Sequence, residues 1–92
     1  MAIAVMFTPD MNREQYDEVI KRLDAGGLRN AKGRLYHVCY ENGEKLNVFD
    51  VWDSVESFQE FGKTLMPILQ DVGVNAGEPT IREAYDILQP QS

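Results

Sequence analysis

His37, Cys39 and Asp50 are the residues of this 92-residue chain whose types and spacing could do chemistry. The first two are the only His and the only Cys, and all three fall between Arg34 and Ser54, in RLYHVCYENGEKLNVFDVWDS. The only Trp, Trp52, sits in the same stretch. An Asp50–His37 dyad would be a general base or a substrate anchor, because a carboxylate fixes the tautomer of the imidazole it touches. His37, Cys39 and Asp50 are also competent metal ligands. Neighbouring strand positions rarely converge on one ion, however, and no fourth ligand is at hand, so no metal is expected. A Cys39 nucleophile activated by His37 is the weakest reading, since two side chains standing side by side on a strand are not aimed at one another. Against all three stands a structural role: a satisfied core or interface histidine, with Cys39 as a small hydrophobe. Asp50 argues for pairing of some kind, because an acid at an apolar strand position is costly alone. Its partner is His37, Arg82 or a residue of a second subunit.

These residues share a face only if their stretch is a hairpin. Asn42-Gly43, between two runs of β-branched and aromatic residues, predicts a type I′ turn. Glu41 then faces Glu44, Cys39 faces Leu46, His37 faces Val48 and Leu35 faces Asp50. His37 and Asp50 become diagonal neighbours. Alternation puts Leu35, His37, Cys39, Leu46, Val48, Asp50 and Trp52 on one side. Tyr36, Val38, Tyr40, Asn47, Phe49, Val51 and Asp53 lie on the other. Both sides are largely apolar, so both need cover.

The flanking elements follow from the pattern. Ala2–Phe7 is a short apolar run that reads as a buried strand. Asn12 is a helix cap with Gln15 in capping-box position and Met11 and Tyr16 placed as a staple. Tyr16, Val19, Ile20 and Leu23 form the apolar stripe of the first helix, which ends at Gly26-Gly27. The loop to Gly33 carries Arg29 and Lys32 but lacks the spacing of a phosphate loop, so it reads as a connection. Ser54 caps a second helix whose apolar face runs through Val55, Phe58, Phe61, Leu65, Ile68, Leu69 and Val72. Pro67 predicts a kink or break near Leu65-Met66, and Gly73 ends the helix. Thr80–Leu88 alternates as a last strand, with Gln89–Ser92 a polar tail. The order βαββαβ is the ferredoxin-like plan, α+β, with a four-stranded antiparallel sheet and two helices on one face. Residues 1–92 form one such domain. The second apolar face has nothing from its own chain to cover it, which predicts a two-fold homodimer, sheet against sheet.

Composition narrows the partners. A net charge of −6 argues against nucleic acid and anionic membrane, both of which attract basic patches. One Cys excludes a disulfide framework and fits a reducing compartment. The apolar start lacks a basic n-region and is too short for a signal peptide, and no stretch approaches the length of a membrane helix. The expectation is a cytoplasmic protein. RNA-recognition domains of this topology need basic and aromatic residues on the central strands, and metal chaperones need CxxC; neither is present.

The residues FDVWDSVESFQEF, followed by Leu65-Met66-Pro67 and Gly73, resemble the dimeric α/β-barrel superfamily, the antibiotic-biosynthesis-monooxygenase-like group. Trp52, Asp53, Ser54, Glu56, Phe58 and Phe61 match its strand-to-helix signature, and the opening strand followed by NREQYDEVIKRL is similar too. The resemblance implies a homodimer whose two sheets form a barrel, with a pocket in each subunit between sheet and helices. Some members of the group oxidise aromatic substrates without a cofactor, others isomerise, and others bind haem. Trp52 matches the pocket tryptophan of the haem-degrading branch. That branch also uses an Asn near the end of the first strand and a His on the second helix. This chain has Met6-Phe7-Thr8 and no such His, which speaks against haem, and no cofactor is expected. The expected function is a homodimeric protein with a small-molecule pocket, as a cofactor-independent monooxygenase or isomerase of a small aromatic or carbonyl compound. His37 and Asp50 would be the catalytic pair, with Trp52, Leu35, Cys39 and Val48 lining the pocket. The alternative is a non-catalytic dimeric module that binds a ligand or partner.

Overall fold

The central hairpin is built on one glycine rather than on the Asn-Gly pair. In the computed structural model, which describes residues 1–88, Gly43 has φ +66 and no residue other than glycine has positive φ. A type I′ turn needs positive φ at both central residues, and Asn42 does not have it. The two-residue loop is instead Gly43-Glu44, the glycine-first arrangement that a type II′ turn uses. Asn42 pairs with Lys45, and the whole ladder moves by two residues from the predicted register. Cys39 faces Val48 and His37 faces Asp50 directly. A shift of two leaves every side chain on its predicted face.

A bulge at the other end of the hairpin does change faces. Arg34 pairs with Trp52 and Tyr36 with Val51, so Leu35 is the extra residue. Leu35 is left 49% exposed, while Arg34 takes the place on the helix side. Gly33 fixes this geometry. It has φ +88, its carbonyl accepts from the Asp53 amide at 2.7 Å, and a Cβ there would lie 2.5 Å from Ser57 Cβ.

The elements are β1 (Ile3–Phe7), α1 (Arg13–Ala25), β2 (Arg34–Asn42), β3 (Lys45–Trp52), α2 (Val55–Val72) and β4 (Thr80–Glu83). The sheet is antiparallel with order β2-β3-β1-β4, as the ferredoxin-like plan requires. The predicted capping box is present, with Asn12 and Gln15 each accepting from the other's amide. Ser54 caps α2 as expected. Pro67 does not break α2, which runs unbroken from Val55 to Val72. The last strand is shorter than its alternation suggested. The Ala84 amide still donates to Ala2 at 2.9 Å, but β1 then has no residues left to pair with, and Tyr85 stands fully exposed. The polar tail, Gln89–Ser92, lies outside the described residues.

Both helices pack on the face that carries Val5, Asp50 and Trp52. Two apolar clusters form there. One joins Val19 and Leu23 of α1 to Leu46 and Val48 of the sheet and Leu69 of α2. The other surrounds Trp52, which is wholly buried with Val5 and contacts Phe58 and Phe61 at ring separations of 5.8 and 5.3 Å. The opposite face of the sheet carries Tyr36 and Tyr40, which are 57% and 45% exposed. No described helix is long and apolar enough to cross a membrane.

Candidate functional site

The two-residue shift in the hairpin turns a diagonal pair into a direct one. His37 Nδ1 lies 2.5 Å from Asp50 Oδ1, and the Asp50 side chain is only 6% exposed. On its other side, His37 Nε2 lies 2.8 Å from the Tyr16 hydroxyl. A carboxylate can only accept, so Nδ1 carries the proton and donates to Asp50. Nε2 then holds the lone pair, and Tyr16 donates to it. The three side chains form an ordered line, Tyr16 to His37 to Asp50. Burial is the main reason that the Tyr16 hydroxyl holds its proton above its ordinary value, with Cys39 and Asp50 adding to it and Arg34 and Arg29 pulling the other way.

Each member is placed by a local feature. Asp50 sits mid-strand in β3, held on the helix side by the ladder to Val5. His37 stands opposite it on β2. Tyr16 is the fourth residue of α1, so the capping box that starts the helix also sets where its ring points. The line borders a cavity of about 70 Å³ between the sheet and both helices, almost wholly apolar, with Phe7, Val48, Phe61, Leu65 and Leu69 among its walls. Adjoining it, a cleft of about 380 Å³ also reaches Tyr16, His37 and Arg34. These three side chains are shared by both spaces.

The predicted site residues divide. His37, Asp50 and Val48 border the cavity. Trp52 does not; it fills the core beside it, and its indole nitrogen has no hydrogen-bond partner. Cys39, paired with Val48 across the ladder, packs against the core and is not at the cavity wall. Leu35 is turned out by the bulge. Cys39 makes no hydrogen bond to His37, and burial, helped by the charge of Asp17, pushes its thiol above the ordinary value. That is the reverse of an activated nucleophile. Among the described residues no three of His, Cys, Asp and Glu cluster tightly enough to hold a metal ion. Tyr16 and Arg34 are the site residues that the sequence reading missed. Tyr16 read as one member of an apolar stripe, although a hydroxyl on a buried stripe needs a partner. Arg34 read as the start of a strand, and only the bulge turns it inward.

No family model matches the sequence, nor does any curated protein. Solved structures do. Rv0793 from Mycobacterium tuberculosis superposes with a TM-score of 0.66 at 20% identity, over 97% of this chain and 100% of that one. SnoaB, a cofactor-independent oxygenase from Streptomyces nogalater, gives 0.62 at 17% identity over 97% and 96%. A Deinococcus radiodurans protein provisionally assigned to the antibiotic biosynthesis monooxygenases gives 0.62 at 14% over the full length of both chains. The chain has the antibiotic-biosynthesis-monooxygenase-like fold. At these identities the likeness carries the fold, and chemistry must come from the site itself.

Proposed function

We propose that this protein is a proton-abstracting enzyme of a small carbonyl compound, with His37 as the base and Asp50 as the residue that orients it. The observation that carries this reading is the direct His37–Asp50 hydrogen bond beside an apolar cavity. A C–H next to a carbonyl gives its proton to Nε2, leaving an enolate. The resulting imidazolium is stabilised by Asp50. In a β,γ-unsaturated carbonyl compound the charge extends over the double bond, and returning the proton to the γ carbon completes an isomerisation. In the oxygenase version O₂ is the co-reactant: a substrate methylene becomes a carbonyl and the second oxygen atom leaves as water. The substrate then supplies all the electrons, as SnoaB's description as a cofactor-independent oxygenase would require. Cavity size favours a small aliphatic carbonyl over an aromatic one. A cavity of about 150 Å³ takes up benzene, and this one is about 70 Å³.

The working unit is a homodimer through the open sheet face. A non-catalytic binding module is favoured by one observation, that Tyr16 already occupies Nε2. Deuterium exchange separates the two. With 2-butanone in D₂O, the protein should accelerate loss of the C–H signals next to the carbonyl, and His37→Gln should not. Exchange at the buffer rate across a set of small ketones would leave the binding module standing.

A further inference from the structure

Arg34 is a half-buried cation with no carboxylate of its own. The chain has 15 acids and a net charge of −6. Arg13, Arg22 and Arg29 each pair with an acid, yet among the described residues none comes within salt-bridge distance of Arg34. Its guanidinium is nevertheless held in place. One nitrogen donates to the Arg29 carbonyl at 2.5 Å, and the group lies 5.9 Å from the Trp52 ring and 5.5 Å from that of Phe61. A guanidinium fixed by its faces and one corner keeps its remaining N–H groups for a ligand, and their fork matches a carboxylate.

Its position gives this meaning. Arg34 borders both the apolar cavity and the adjoining cleft, as do Tyr16 and His37. The cleft also holds Arg29, whose charge is shared with Asp24, and one acid, Asp17. We infer that the cleft binds the carboxylate of a short aliphatic acid, with Arg34 as its anchor and the hydrocarbon end passing His37 into the cavity. The inference rests on the pocket proposed above and narrows its substrate class. A compound with both groups, a short-chain oxo acid, would be held by Arg34 and deprotonated by His37. The small cavity accommodates a chain of a few carbons, and the larger cleft accommodates the head group.

The test uses butyrate and its neutral isostere butyramide, read through the imidazole NMR signals of His37 at neutral pH. Only one histidine contributes. Butyrate should shift those signals saturably, and butyramide should bind about tenfold more weakly or worse, as loss of a charge-assisted hydrogen bond implies. Arg34→Met keeps an apolar stem over Trp52 and should reduce butyrate to the level of butyramide. Equal binding of the two ligands by the wild-type protein, or undiminished butyrate binding by a folded Arg34→Met, would overturn the anion site and leave the pocket standing. If neither ligand moves His37, the anion site and the pocket both fall. The wild-type comparison decides the matter even if Arg34→Met fails to fold.

Discussion

Tyr16 sets the terms on which His37 can act. Its hydroxyl donates to the nitrogen that a substrate proton must reach, so substrate either displaces the phenol or passes its proton through it. The arrangement fixes the resting tautomer. Nitrogen-15 spectra of His37 should show protonation at Nδ1, and a proton on Nε2 would break the Tyr16–His37–Asp50 line. Tyr16 also carries a pH signature. Its hydroxyl titrates higher in the folded protein than its ordinary value of 10.0, chiefly through burial. The folded state therefore binds more protons than the unfolded one above that pH, and stability falls as pH rises. Below pH 10 this contribution is constant. Denaturation midpoints should begin to fall near pH 10, and the fall should be shallower in Tyr16→Phe. Cys39 gives a negative control. Its raised thiol and half-buried position predict slower alkylation by iodoacetamide at pH 8 than a free cysteine shows. Faster alkylation would return Cys39 to consideration as a nucleophile. At this scale the pairing of His37 with an acid was legible, because face parity survives a register shift of two. Arg34 was not, because a bulge leaves no mark in the alternation of RLYHVCY.

The helices were legible to the residue at their caps because Asn12, Gln15, Ser54 and Gly73 act locally, through side-chain and backbone geometry that needs no tertiary partner. The strand ends were not, because a strand stops where its neighbour stops. Alternation in Thr80–Leu88 could not reveal that β1 begins only at Ile3. Turn type was half legible: a hairpin was marked, but Asn-Gly does not say which of two frames the glycine serves. Two substitutions test these elements. Gly33→Ala would place a Cβ against Ser57 at a φ of +88. Thermal or denaturant unfolding should show a loss of about 2 kcal/mol or more, and the shift should carry Arg34 out of line with Trp52. A neutral result would mean that the loop relaxes without moving the bulge. Pro67 lies exposed in an unbroken α2 and denies one backbone bond to the Lys63 carbonyl. Pro67→Ala should raise stability by roughly 1–2 kcal/mol, the helix gain reduced by the freer unfolded chain.

The molecule as a whole is short of cover. A self-contained protein of 10.5 kDa exposes about 5,400 Å², whereas this chain exposes 6,552 Å². Part of the surplus is the segment that leaves the sheet after Ala84, where Tyr85 and Leu88 are almost bare. Another part lies on the open sheet face, where Tyr36 and Tyr40 are 57% and 45% exposed. The ladder directs Tyr36, Val38, Phe49 and Val51 away from the helices, side by side on two adjacent strands. Met6 follows on β1, opposite Phe49. This apolar patch spans β2, β3 and β1, no helix among the described residues covers it, and a second copy of the same patch across a two-fold axis would. The proposed dimer should therefore be seen by sedimentation velocity at micromolar concentration. Tyr36→Glu, placed opposite Val51 and far from the cavity face, should give monomers. The same substitution should leave the His37–Asp50 hydrogen bond and its Nδ1 proton signal in place, because it sits on the other side of β2. A wild-type monomer would mean that the open face is tolerated in water or is reserved for a different protein. A Tyr36→Glu monomer that also loses the Nδ1 proton would mean that the partner copy helps to hold the site closed.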